Sequence, residues 1–304
     1  MIRPILIAAL ALSAAVSPLA AAAQQQQRDA PDIVVTGERA SKAREAAVRA
    51  LTRAVAYQSD GQLARFAGAV CPAMVGFEDP YDKLVVDRIT QAARDANVPV
   101  DTPGCSPNLT VIIVENGQAV LQALYKTKPG LFTALPPGER KRLLADRGPV
   151  HAMTFTELRD RDGGRVNAPS EARFTFDDLP KLLVHSASIM NPVTRQDING
   201  SVILIDRAAA MGKSLRQIGD YAAMRALAKT NDAGAGNNTI LSLFAPGAAT
   251  PPPALTLFDQ AYLAALYKGP ATRGYLAKVA NIAQTATRAG ATATDSATAP
   301  PPQQ

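Results

Sequence analysis

Residues 109–114 read LTVIIV, an aliphatic and largely β-branched run of strand length that is apolar on both faces. A run of this kind is typical of a strand inside a sheet that helices cover on both sides. Glu115-Asn116-Gly117 follows it, and a helical pattern resumes at 119–126. The sequence therefore predicts a buried strand within a layered fold of strands and helices.

Periodicity and turn signals extend this prediction in both directions along the chain. Helices are predicted at 41–57, 79–97, 119–126, 136–148, 214–229, 255–267 and 272–286. Further strands are predicted at 150–158, 173–176, 182–189 and 201–205. Strands in mid-chain followed by helices indicate an α+β fold, with helices packed on a mixed or antiparallel sheet and a helical C-terminal part.

The composition predicts one folded region with disordered ends. The chain has 304 residues, 47% of them hydrophobic, which excludes wholesale disorder and suffices for one large domain or two small ones. We expect a single α+β domain at 41–284, with possible sub-regions 41–148 and 149–284. A mobile arm is expected at 24–40, and an Ala/Thr/Ser- and Pro-rich disordered tail at 285–304.

The first 23 residues have the pattern of a secretory signal peptide. Arg3 precedes an apolar stretch at 5–16, and Ala21-Ala22-Ala23 forms a small-residue cleavage site. The alternative is a membrane anchor, but Ser13, Ser17 and Pro18 interrupt the apolar stretch. The sequence thus predicts a periplasmic or secreted protein with no transmembrane segment in the mature chain. The formal charge of +6 suggests weak attraction to anionic surfaces, with no nucleic-acid partner.

Export also determines how the two cysteines are interpreted. Cys71 and Cys105 form an even pair in a chain that enters an oxidising compartment, so a disulfide is expected. Two free buried thiols are the alternative. A redox-active pair is disfavoured because the C-x-x-C spacing is absent.

No motif in the chain predicts catalytic, cofactor-binding or metal-binding residues. His151 and His185 lie in different predicted strands, without the i, i+4 spacing of a zinc-binding helix, and each is interpreted as a neutral histidine with one hydrogen bond. Gly212-Lys213-Ser214 resembles the end of a phosphate-binding loop, but Arg207 occupies the position of its first glycine. Asp177-Asp178 is interpreted as a turn or helix cap.

A short segment near the predicted mature N-terminus resembles a sequence used by TonB-dependent outer-membrane receptors. Residues 32–39 read DIVVTGER, and the receptors have a short I-V-V-T-G stretch that the periplasmic protein TonB binds. The resemblance implies that Ile33, Val34, Val35, Thr36 and Gly37 form an extended arm that adds a strand to a partner's sheet. The alternative is an edge strand docked on the chain's own domain.

The C-terminal region resembles uncharacterised exported bacterial proteins related to zinc-metallopeptidase-like folds. Those proteins have a helix with E-E-x-x-Q, then L-x-N-D, S-I-F and L-T-x-x-D-x-x-x-L-x-x-L-Y. Here Asn231-Asp232 matches the third and fourth positions of L-x-N-D, and Leu255, Thr256, Asp259, Leu263, Leu266 and Tyr267 match the last motif. The acidic helix is not matched, because Tyr221, Ala222 and Arg225 occupy its three positions. The resemblance therefore implies a degenerate scaffold without the catalytic carboxylates.

These observations favour an exported, non-catalytic binding or envelope-associated protein of unknown ligand. The alternative is a metallopeptidase-like hydrolase with an unrecognised or degenerate active site. A histidine that converges with a carboxylate in a deep cleft would favour the hydrolase.

Overall fold

The computed structural model describes residues 33–166, 192–232, 236–247 and 250–298, with side chains from residue 40 to residue 290 of these ranges. The chain divides into two units, residues 1–43 and 44–304. Of the first unit, the structure describes only 33–43, the start of a long helix. The predicted strands at 173–176 and 182–189, with Asp177-Asp178 and His185, lie outside the described residues.

The described residues form an α+β fold. The strands are β1 (Gln58–Ser59), β2 (Gln62–Leu63), β3 (Arg65–Phe66), β4 (Pro72–Val75), β5 (Leu109–Val114), β6 (Val150–Asp160) and β7 (Thr194–Asp206). The α-helices are α1 (Ile33–Val55), α2 (Tyr81–Asp95), α3 (Gly117–Thr127), α4 (Pro137–Ala145), α5 (Arg207–Ala210), α6 (Leu215–Leu227), α7 (Leu257–Tyr267) and α8 (Tyr275–Thr298). Short 3-10 helices span Pro129–Phe132, Gly236–Asn238 and Ile240–Phe244.

The LTVIIV strand, β5, lies inside a mixed five-stranded sheet, as predicted. It pairs in parallel with β4 on one side and with β7 on the other, with Leu109 opposite Ser201 and Val114 opposite Asp206. Two further strands pair with β7, namely β6 in antiparallel and β3 in parallel orientation. β3 to β5 come from 41–148 and β6 and β7 from 149–284, so the two possible sub-regions share one sheet.

The sheet separates two apolar clusters because successive residues of a strand point to opposite faces. Ile203 and Ile205 of β7 belong to the large cluster, which also includes α2, α6, α7 and α8. Leu204, between them, belongs to a smaller cluster with Leu121 of α3 and Phe132. The helices covering both faces explain why β5 is apolar on both sides.

The disulfide between Cys71 and Cys105 is present, with a Cα–Cα distance of 6.1 Å. It ties the residue before β4 to the loop that leads into β5. Asn108 reinforces this junction, because its Oδ1 accepts a 2.8 Å hydrogen bond from the Cys71 backbone N–H. The predicted disulfide between the two cysteines is therefore confirmed.

Helix α1 differs from the extended arm predicted at its start. Ile33, Val34, Val35, Thr36 and Gly37 lie in its first turns. The helix predicted at 41–57 thus continues toward the N-terminus, since each residue added to a nucleated helix forms another backbone hydrogen bond. The prediction of an extended conformation at 33–37 is therefore wrong, because these residues are helical. Binding of a TonB-like partner stays a prediction.

Helix α8 continues past Thr285, where the disordered tail was predicted to start. Ala286 is buried, and the Thr285 hydroxyl donates a 2.8 Å hydrogen bond to the Asn281 carbonyl. Alanine has the highest helix propensity, so the Ala-rich sequence extends a helix already anchored by Val279 and Ile282. The predicted start of the tail is therefore too early. Within the described ranges, no helix is long and apolar enough to cross a bilayer.

Candidate functional site

A cleft of about 440 Å³ lies between Tyr57, helix α4, strand β6 and the segment that follows helix α6. A larger cavity of about 490 Å³ is a mostly apolar groove lined by Ala92 of α2, Ala264 of α7 and Ala289 of α8. In that groove the Arg88 guanidinium is already paired with the buried Asp220 carboxylate. The smaller cavity is the better candidate site because its charged groups are not all paired with one another.

The end of helix α6 and the chain after it bring the site together. A capping box between Ser214 and Gln217 fixes the start of the helix. After Leu227 the backbone becomes extended, and Thr230 forms an antiparallel bridge with Ala56. This bridge places Tyr57 beside Lys229, although 172 positions separate them in the sequence.

A buried ion pair forms one wall of the cleft. Lys229 Nζ lies 2.8 Å from Glu139 Oε2, and their side chains are 5% and 14% exposed. The ammonium also lies 4.7 Å from the centroid of the Tyr57 ring. Burial and the nearby Glu139 carboxylate raise the pKa of the Tyr57 hydroxyl. Because the charges of Lys229 and Glu139 neutralise each other, this pair has a structural role in the wall of the cleft. Other charged groups are better placed to bind a ligand.

Two guanidinium groups in the cleft have no carboxylate within 4.0 Å in the described part of the chain. Arg142 donates a 2.6 Å hydrogen bond to the Tyr57 hydroxyl oxygen. Arg225 donates to the Thr230 carbonyl, while its buried Nε has no hydrogen-bond partner. Arg142 is exposed, whereas Arg225 is partly buried. An unpaired cation that is partly buried is costly, so a bound anion would be favoured beside Arg225.

Two carboxylates in the same cleft have no Lys or Arg partner in the described part of the chain. Asp232 accepts a 3.3 Å hydrogen bond from the Tyr221 hydroxyl, whose pKa is raised by complete burial. Asp146 accepts a 2.8 Å hydrogen bond from the Gly148 backbone N–H. Within the described ranges, both carboxylates therefore interact with neutral donors or with a histidine and with no permanent cation.

A second cavity of about 260 Å³ shares Asp146 and Asp232 with the first. Its other walls are mostly apolar and include Pro149, Phe244 and Pro246. We call the first cavity the polar lobe and the second the apolar lobe. The two lobes are therefore adjacent, with Asp146 and Asp232 in the walls of both.

His151 lies next to this cleft without lining it. Its side chain is fully buried in β6, and its Nδ1 is 3.7 Å from Asp146 Oδ2. Neither ring nitrogen has a hydrogen-bond partner among the residues that the structure describes, whereas the sequence predicts one hydrogen bond. Burial lowers the pKa of the imidazole, and the nearby Asp146 and Asp206 carboxylates offset this only in part. The favoured form is the neutral ring.

This burial predicts a loss of stability in mild acid. Below about pH 6.5 the unfolded chain protonates His151 while the folded chain resists protonation, so the unfolded state binds more protons. The free energy of unfolding should then fall as the pH falls, by up to about 1.4 kcal/mol per pH unit from this group. His151→Leu should have a flatter profile than the wild type in urea titrations between about pH 7.5 and 5.5. Equal slopes would contradict the assignment.

The residues aligned with the metallopeptidase-like motifs have varied roles. Tyr221 and Ala222, at the missing carboxylate positions, are buried in the core. Arg225 and Asp232 line the cleft. Asp259 caps the start of α7 by accepting from the Thr256 backbone N–H, and it also accepts from the Ile240 N–H, both at 2.8 Å. Within the described ranges, no group of three or more His, Cys, Asp or Glu residues could hold a metal ion.

Sequence reasoning missed most of the cleft, including Tyr57, Glu139, Arg142, Asp146 and Lys229. These residues come from three parts of the chain, around residues 57, 139–146 and 229, and no local spacing connects the three parts. Comparisons with protein-family models, with curated proteins and with solved structures find no match.

Proposed function

We propose that this chain is an exported binding protein that holds a small charged solute in the two-lobed cleft without transforming it. The observation that carries the proposal is the convergence of Arg142, Arg225, Asp146 and Asp232, none of which has a Lys, Arg, Asp or Glu partner of opposite charge among the described residues. Proteins pair or hydrate their charges, and a cleft that gathers unpaired groups of both signs is suited to a ligand with complementary charges.

The disulfide supports export, because such bonds persist in oxidising compartments and are rare in the cytosol. The signal-peptide pattern at 1–23 agrees with a periplasmic or secreted location. A TonB-like partner for residues 33–37 remains part of the proposal, and such binding requires the first turns of α1 to unwind.

One observation favours the hydrolase alternative, namely the 3.7 Å approach of His151 to a cleft carboxylate. A general base must come within hydrogen-bond reach of the proton that it removes. The His151 side chain has no exposed surface and does not line either lobe. This placement supports binding over hydrolysis.

Blocking the polar lobe tests the proposal. Ala152 lines this lobe, and Ala152→Phe should fill it. The matched control is Ala264→Phe, which places the same side chain in the apolar groove. Each protein is equilibrated with the low-molecular-mass fraction of a cell extract, and mass spectrometry identifies the retained solutes. We expect a solute retained by the wild type and by Ala264→Phe but at least about tenfold less by Ala152→Phe.

Retention that is equal in all three proteins, or absent from all three, would contradict the proposal. Circular dichroism checks that each variant folds. If Ala152→Phe does not fold, Arg142→Gln replaces it, because Arg142 is exposed and its loss leaves the core intact.

A further inference from the structure

The unpaired charges are distributed unequally between the two lobes. Arg142 and Arg225 line only the polar lobe. Asp146 and Asp232 line both lobes and mark their junction. Along the cleft the chemistry therefore runs from cationic, through anionic, to apolar.

A complementary ligand needs an anionic group, a cationic group and an apolar group in the same order. A carboxylate suits the polar lobe, because a guanidinium binds it through two parallel N–H donors. An ammonium group suits the junction, since its three donors can be shared between two carboxylates. An apolar substituent suits the walls formed by Pro149, Phe244 and Pro246.

An α-amino acid carries these three groups on a single carbon atom. Resting on the proposed function, we propose that the cleft binds a free α-amino acid with an apolar side chain, in its zwitterionic form. Its carboxylate meets Arg142 and Arg225, its ammonium meets Asp146 and Asp232, and its side chain enters the apolar lobe.

The Arg225 guanidinium supports this orientation. It lines only the polar lobe, one of its Nη atoms is held by the Thr230 carbonyl, and no carboxylate of the described residues lies within 4.0 Å of it. A carboxylate in the polar lobe would supply the missing opposite charge. A dicarboxylate would instead bring a second anion against Asp146 and Asp232, and a polyamine would bring a cation against the two arginines.

Matched probes that lack one group test each part of the assignment by calorimetric titration. L-leucine is compared with 4-methylpentanoate, which lacks the ammonium, and with 3-methylbutylamine, which lacks the carboxylate. L-phenylalanine is compared in the same way with 3-phenylpropionate and 2-phenylethylamine. We expect at least one of the two amino acids to bind, and each of its truncated analogues to bind at least about tenfold more weakly.

Two charge variants identify which end of the ligand each residue meets. Asp232→Asn should weaken binding of the amino acid about tenfold or more while leaving the carboxylate analogue unaffected. Arg142→Gln should weaken the amino acid and leave the amine analogue unaffected. Arg216→Gln, at an exposed position in the apolar groove, is the control and should change neither.

The outcomes separate this inference from the proposed function. If neither amino acid binds while Ala152→Phe still abolishes retention of some other solute, the ligand class is wrong and the binding function stands. If Ala152→Phe changes the retention of no solute, both the ligand class and the proposed binding function are wrong. Truncated analogues that bind as tightly as the amino acid, or unchanged affinity in both charge variants, would also overturn the inference.

Discussion

Asp220→Ala is expected to lower the free energy of unfolding by about 3–5 kcal/mol. The Asp220 side chain is fully buried in α6 and accepts hydrogen bonds from Arg88 Nε and from the Leu255 backbone N–H. The substitution leaves a guanidinium that is only 22% exposed without its carboxylate, and it also leaves a buried N–H unsatisfied. Urea denaturation of the wild type and the variant measures the difference.

The control for this experiment is an exposed pair. Lys83 and Asp79 lie 2.9 Å apart, with side chains 73% and 69% exposed, so Asp79→Ala should cost no more than about 0.5 kcal/mol. The double variant Arg88→Met with Asp220→Leu should recover much of the loss, because apolar side chains can replace a buried ion pair. A loss below about 1 kcal/mol for Asp220→Ala would show that the pair does not support α6.

Removal of the disulfide is expected to cost about 3–4 kcal/mol in the variant that carries Cys71→Ala and Cys105→Ala. The two cysteines lie 34 positions apart in the sequence, and cross-linking them restricts the unfolded chain. Without the bond the unfolded chain regains this conformational entropy, which favours unfolding. The bond also holds the chain at the junction between β4 and β5, where the Leu109 N–H donates to the Cys71 carbonyl.

Reduced wild-type protein is the matched control, because it lacks the bond and keeps both sulfur atoms. Its stability in urea should agree with that of the double variant to within about 1 kcal/mol if the cross-link accounts for the effect. A reduced protein as stable as the oxidised one would contradict this account.

The features that could be predicted from the sequence are those that a local residue pattern or the expected cellular compartment indicates. LTVIIV at 109–114 is apolar on both faces, and this alone places it inside a sheet covered by helices. The pairing of Cys71 with Cys105 could be predicted from their number and from the signal-peptide pattern, which predicts an oxidising compartment. The end of α8 is less predictable, because Ala-rich sequence allows both a solvated helix and an unstructured tail. The start of α1 is less predictable because Ile33, Val34 and Val35 are β-branched and favour an extended conformation.

The cleft could not be predicted because long-range pairing assembles it. Lys229 meets Tyr57 only through the bridge between Ala56 and Thr230, and it meets Glu139 only once α4 has packed beside β6. Neither contact leaves a spacing in the sequence. In the sequence, Arg225 and Asp232 stand out only as part of an incomplete motif. In the structure they are charged groups that line the cleft.

The most direct test of the central claim, that the two-lobed cleft binds a small solute, is amide chemical-shift mapping. Isotope-labelled protein is titrated with the low-molecular-mass fraction of a cell extract. The account predicts that shifts concentrate on cleft residues such as Ala152, Arg225 and Asp232. Shifts confined to the apolar groove around Ala264, or no shifts at the cleft, would contradict it.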